Sequence, residues 1–133
     1  MATHKPLRVV VVTPETTVVD EPVEALRFPL YDGQIGILPG RAPLVGRLGY
    51  GELHITTAAG TRNYFIDGGF VQVKGEVVSI LTDRAVPQEK LDSRQAEDEL
   101  QKAQNIRARS DAELDSKAAE LQRARRKLAM ARR

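Results

Sequence analysis

The sequence predicts a mainly β fold with an α-helical appendage: an N-terminal β-sandwich of about nine or ten short strands over residues 1–86, then an antiparallel two-helix hairpin over residues 87–133. Three observations predict it. Short β-branched or alternating runs, each closed by Gly, Pro or Asx, fill residues 7–82 with no helical pattern between them. Beyond Pro87 there is no Gly, Pro or aromatic residue, and Ala, Leu, Glu, Gln, Lys and Arg, all strong helix formers, dominate. Charge separates along the chain as well. Residues 1–86 hold 8 Lys/Arg and 9 Asp/Glu, whereas residues 112–133 hold 7 and 3. An acidic partner is therefore expected at the C-terminal tail.

The elements follow in order. Leu7–Val12 is a β-branched run that fits a strand buried on both faces. Thr16–Val19 is a second, and Asp20-Glu21-Pro22 reads as a turn. Val23–Phe28 alternates as a half-exposed strand does, and Pro29–Gly33 reads as a loop. Gly33–Leu48 (GQIGILPGRAPLVGRL) packs four glycines and two prolines among apolar residues at strand spacing. It predicts two short strands joined by a rigid reversing loop at Pro39–Pro43. The stretch has no nucleophile, histidine or acid, so it reads as a docking shape. Gly49-Tyr50-Gly51, Ala58-Ala59-Gly60, Asp67-Gly68-Gly69 and Lys74-Gly75 then read as turns between the strands Glu52–Thr57, Thr61–Ile66, Phe70–Lys74 and Glu76–Thr82.

Two helices follow, about Glu89–Arg107 and Asp111–Ala131. Asp92 with Gln95, and Ser110 with Glu113, fit capping boxes. Their expected seam is Ala96, Leu100, Ala103 and Ile106 against Leu114, Ala118, Leu121, Ala124 or Arg125, and Leu128. It is thin, which predicts a hairpin that can open.

Catalytic chemistry finds little support. There is no cysteine, so neither a disulfide framework nor a thiolate metal site is available. His4 and His54 have no metal-ligand spacing around them. Asp67, Glu76 and Asp83 read as solubilisers of turns and strand ends. Ser79 and Ser93 have no histidine partner at a suggestive spacing. Gly68-Gly69 lacks the strand–loop–helix context of a phosphate loop and reads as a tight turn or close backbone approach. No apolar run approaches the ~20 residues of a membrane span, and the start MATHKPLRVVVV lacks signal-peptide architecture.

The sharpest polar signal is Arg123, Arg125, Arg126, Lys127, Arg132 and Arg133. The helix macrodipole accounts for a few C-terminal cations and leaves the others unexplained. On an ideal helix Arg123, Arg126 and Lys127 are neighbours and form one patch. A rival reading is a β domain with a basic helical tail that binds nucleic acid. The tail has no aromatic residue for stacking and the β domain is not basic, which favours an acidic protein surface.

The loop Gly36-Ile37-Leu38-Pro39-x-x-Ala42-Pro43-Leu44, the run Gly68-Gly69-Phe70-x-x-Val73 within Tyr64–Ala85, and the Ala/Arg-rich helical end stand in that order. Together they closely resemble the epsilon subunit of the F-type ATP synthase, over essentially the whole chain. The resemblance implies a non-catalytic central-stalk subunit that couples proton-driven c-ring rotation to ATP synthesis. Its implied partners are the gamma subunit, the c-ring and the alpha and beta subunits, with no nucleic acid. It implies a peripheral position on the cytoplasmic side of a bacterial cell inner membrane.

Tyr31, Asp32, Gln34 and Arg41 would belong to the loop that faces the c-ring, Arg41 standing where the family often has histidine. The hairpin would inhibit ATP hydrolysis, with Arg123, Arg125, Arg126 and Lys127 near an acidic segment of beta. Some members bind ATP on the folded hairpin through an Ile/Leu-Asp-x-x-Arg-Ala pattern. Here Leu91, Asp92 and Ala96 match, but Gln95 stands in the arginine position and the arginine is Arg94. One residue turns a side chain by ~100° on a helix. Leu91, Asp92 and Arg94, with Arg125, are the candidates for such a site, and the expected state has no cofactor.

Overall fold

The computed structural model describes residues 7–31, 33–37 and 43–133. Backbone contacts divide the chain into two compact units, one ending at Pro87 and the other Gln88–Arg133.

The first unit is a β-sandwich-like sheet. Its eight strands among the described residues are β1 (Leu7–Val12), β2 (Thr17–Val23), β3 (Ala25–Leu30), β4 (Gly33–Ile37), β5 (Leu44–Thr57), β6 (Gly60–Lys74), β7 (Val77–Leu81) and β8 (Ala85–Pro87). They are hydrogen-bonded in the order β2-β1-β7-β6-β5-β3-β4, with β8 also on β6. The β1–β7 pair is parallel and the other pairs are antiparallel. The path folds over on itself. Arg62 of β6 forms an ion pair with Glu21 of β2, although these strands are not ladder neighbours. Val19 and Val23 of β2 share one apolar core with Leu53 and Ile55 of β5. Phe28, Leu48, Ile66, Val71 and Ile80 complete its centre.

The strand count is corrected from about nine or ten to eight, for one physical reason. Glycines that look like turns lie inside two long strands. Gly49-Tyr50-Gly51 continues β5, and Asp67-Gly68-Gly69 continues β6 in unbroken register, Leu48 facing Gly69 and Tyr50 facing Asp67. Gly69 has φ +113°, and a Cβ there would overlap the Leu81 carbonyl. Close backbone approach is thus the glycine's role. On either side of this point β6 changes partner, pairing β8 through Tyr64–Ile66 and β7 through Phe70–Lys74.

Other expectations shift too. Asp20-Glu21-Pro22 is not a turn but part of β2, an edge strand, where proline's missing donor costs no ladder bond. β1 is buried on one face, with Arg8 exposed and bonded to Asp20 at 2.7 Å. Pro29 and Leu30 extend β3, and Gly33 already pairs with Leu30. The expected reversing loop lies mostly outside the described residues, which include Pro43 but not Leu38–Ala42.

The second unit begins with a 3-10 turn, Gln88–Lys90, followed by α1 (Ser93–Gln104) and α2 (Asp111–Ala131). α1 is shorter than expected at both ends: Asp92 caps its start, Oδ1 accepting from the Arg94 and Gln95 amides at 2.9 and 3.4 Å, and Asn105 caps its end. α2 has its expected bounds. Ser110 Oγ accepts from the Glu113 amide at 3.2 Å, and Glu113 returns to the Arg109 amide at 2.6 Å. The ion pairs Arg132–Glu97 and Lys127–Glu99 fix the antiparallel register. The seam is closed at the end that holds Ala96, Ala124, Leu128 and Met130. At the connecting turn it is open, leaving Ile106 and Leu114 exposed where burial was expected.

Candidate functional site

The outer face of β5, β6 and β7 carries the exposed apolar surface of the first unit. Strand alternation decides this. Val71 and Val73 on β6, with Val78 and Ile80 on β7, point inward to the core, so Phe70 and Leu81 point outward. The ladders align Arg47 with Phe70, Phe70 with Leu81, and Leu81 with Val12 of β1. Phe70 is 61% exposed, Leu81 52% and Val45, at the head of β5, 76%. Tyr31, in the turn after β3, is 70% exposed, and the Arg47 guanidinium lies 4.5 Å from its ring centroid. A hydrogen bond from the Tyr31 amide to the Arg47 carbonyl, 2.8 Å, ties that turn to β5. The result is a row, Tyr31–Arg47–Phe70–Leu81–Val12, laid across a fixed ladder. Exposed apolar side chains gathered in one patch mark a protein–protein surface more often than a catalytic one. Among the described residues no three His, Asp or Glu side chains cluster as a metal site would require.

Of the loop residues expected to face a ring of subunits, Tyr31 joins this row and Gln34 lies on β4 opposite Pro29. Asp32 and Arg41 lie outside the described residues. Phe70, Leu81, Val45 and Arg47 were not singled out from the sequence as site residues. One signal was available: Phe70 shares strand parity with Gln72 and Lys74, which puts an aromatic ring on the polar face.

On α2 the expected single patch is divided. Arg125 and Arg126 are exposed, whereas Lys127 is buried and Arg123 half-buried. Lys127 Nζ lies 3.1 and 3.2 Å from the two Glu99 carboxylate oxygens. Arg123 Nη1 lies 3.6 Å from Glu99 Oε2. The stripe that carries Arg123 and Lys127 runs beside Ala124 and Leu128, and so turns toward α1. The nucleotide candidates are not brought together. The Asp92 carboxylate is occupied as the α1 cap, and the register places Arg125 opposite the C-terminal third of α1, roughly 10–15 Å along the axis from Arg94.

Residues 6–88 match the family model described as the ATP synthase, Delta/Epsilon chain, beta-sandwich domain. An ATP synthase epsilon chain of Rhodopirellula baltica is 43% identical over 119 residues, which are 90% of this chain and 93% of the relative. The chain belongs to the ATP synthase epsilon chain family. Another epsilon chain, that of Propionigenium modestum, is named as sodium ion specific and is 33% identical over 116 residues, 86% of this chain and 82% of the relative. A chain in the cryo-EM structure of the Euglena gracilis mitochondrial ATP synthase, comprising OSCP, F1 and c-ring, superposes with a TM-score of 0.83. The two are 26% identical, with 93% of this chain and 80% of that one covered. A chain of the Tetrahymena thermophila mitochondrial ATP synthase central stalk and c-ring shares the fold, with a TM-score of 0.77 at 14% identity and 98% of this chain covered. The epsilon fold is thus the two-part architecture described above.

Proposed function

We propose that this epsilon chain is a non-catalytic rotor subunit. Its β unit docks on the gamma subunit through the Tyr31–Val12 row. The residues between β3 and β5, Tyr31, Asp32, Gln34 and Arg41 among them, face the c-ring, so that Tyr31 borders both contacts. Its α2 helix restrains ATP hydrolysis by meeting an acidic surface of the alpha/beta head with Arg123, Arg125, Arg126 and Lys127. No cofactor enters this reading, and nucleotide binding to the hairpin is not part of it. Association with the membrane, on the cytoplasmic side of a bacterial inner membrane, is peripheral and runs through the complex. No described helix is long and apolar enough to cross a bilayer.

The observation that carries the reading is the exposed phenylalanine on a sheet whose other face is a closed core. A coupling element must transmit torque without deforming, and a ladder-fixed patch over a dense core meets that need. The exposed apolar row in one unit and the cations of α2 in the other support a division of labour: apolar contact for permanent attachment, charge for reversible contact.

The test is co-purification of the full chain with a gamma subunit. Phe70→Asp alters an outward side chain and leaves the core intact, so the chain folds with a wild-type circular dichroism spectrum. Burying an unpaired carboxylate at the centre of an interface weakens association by about a hundredfold or more. Wild-type retention of Phe70→Asp on gamma removes the row from the docking surface.

A further inference from the structure

Lys127 is the sole charged residue among the buried described residues. Its side chain retains 9% of its exposure, and its ammonium spans both oxygens of Glu99 at 3.1 and 3.2 Å. Arg123, one helical turn earlier, approaches the same carboxylate at 3.6 Å. Arg132 and Glu97 add a pair at 2.8 Å, both more than half exposed. One carboxylate on α1 therefore takes two cations of the basic helix. The apolar packing beside it is slight, because Ala96, Ala103 and Ala124 supply much of the buried seam. Removing one partner of a buried ion pair strands the other charge, which costs far more than losing an exposed pair. The cost disappears if another carboxylate takes the vacated place.

We propose that Glu99 is an internal stand-in for the acidic protein surface that α2 engages: an ionic latch that holds the hairpin shut and masks Lys127 and Arg123 until a partner's carboxylates replace it. The identity of that partner surface rests on the inhibitory reading given above, whereas the latch stands on the hairpin alone. Closure and partner binding then compete for the same two cations. The hairpin stays closed when the chain is isolated, because opening gives up the two Lys127–Glu99 bonds together with the apolar burial of Leu128 and Met130. It opens where an acidic surface is presented, because one pair is exchanged for another. Exposed pairs such as Arg132–Glu97 contribute little to this choice.

The full chain has no cysteine, so nitroxide labels can be placed at Lys102→Cys on α1 and Gln122→Cys on α2, both exposed, without further changes. Pulsed electron paramagnetic resonance on the isolated chain reads their separation. The wild type gives one short distance. Glu99→Gln moves the closed-to-open ratio toward open by about tenfold or more, and the charge exchange Glu99→Lys with Lys127→Glu restores the short distance. If Glu99→Gln instead unfolds the helices, recovery of helix in the charge exchange supports the latch and failure to recover overturns it. A Glu99→Gln distance distribution equal to the wild type's also overturns it. In the reconstituted complex, Glu99→Gln deepens the restraint on hydrolysis relative to wild type. Absence of restraint by the wild-type chain itself would sink the inhibitory reading, while the distances on the isolated chain still judge the latch.

Discussion

The two units of this chain bury their interiors by opposite means. The β unit encloses Leu7, Val9, Val11, Phe28, Leu48, Leu53, Ile55, Ile66, Val71 and Ile80, all essentially without exposure. The helical unit encloses three alanines, Leu128, Met130 and a lysine. A closely packed apolar interior has few ways to rearrange, because each methylene removed or added is felt by its neighbours. A seam of small side chains and one ion pair has a second solution available whenever another anion is at hand. On the function proposed above, the difference separates a platform from a moving part, and it lies in side-chain volume and charge.

The sharpest way to break the comparison is at the β core. Phe28 is fully buried on β3. Phe28→Ala is expected to cost about 3–5 kcal/mol of global stability in chemical denaturation, from lost burial together with the cavity left behind. If it costs under about 1 kcal/mol, the platform is as yielding as the hairpin and the contrast fails.

A smaller loss is expected at the point where β6 changes partner. Gly69→Ala puts a Cβ against the Leu81 backbone at a φ that L-residues rarely adopt. It should cost about 2–3 kcal/mol and broaden the amide resonances of β6 and β7, leaving those of α2 in place. Gly60 also has positive φ but meets no atom within 4 Å of a built Cβ, so it separates conformational strain from the clash.

That glycine also shows where the sequence is legible and where it is not. The two-part fold and both ends of α2 could be read, because cap residues and helix formers act locally: Ser110 and Glu113 sit three residues apart and bond as their spacing requires. The strand ends could not. Gly49–Gly51 and Asp67–Gly69 carry turn residues for the sake of a contact with a distant backbone, and local reading cannot tell that need from a reversal of the chain. β8, three residues long, has no pattern of its own and exists because Tyr64–Ile66 offers it a ladder. Of the candidate site, Tyr31 and the arginines were visible as types. Lys127 could not be foreseen as buried, since its partner Glu99 is 28 residues away, and a cation among cations reads as surface.

The finest test stays inside α2. Leu114, Leu121 and Leu128 recur every seven residues, as a uniform seam would require. Leu114 is 54% exposed, Leu121 half-buried and Leu128 buried. If the hairpin closes only at the end where α1 begins, leucine-to-alanine substitutions should grade along this series. Leu128→Ala should cost about 2–3 kcal/mol of hairpin stability, Leu121→Ala about 1 kcal/mol, and Leu114→Ala under about 0.5 kcal/mol, within the range of ordinary surface changes. Thermal unfolding of the helical signal at 222 nm would measure the grade. Equal costs at the three positions would mean a seam zipped to its turn, and a hairpin held by apolar packing would then have little use for Glu99. A steep grade leaves the ion pair as the main restraint on the inner part of the hairpin, with the turn end already free of it.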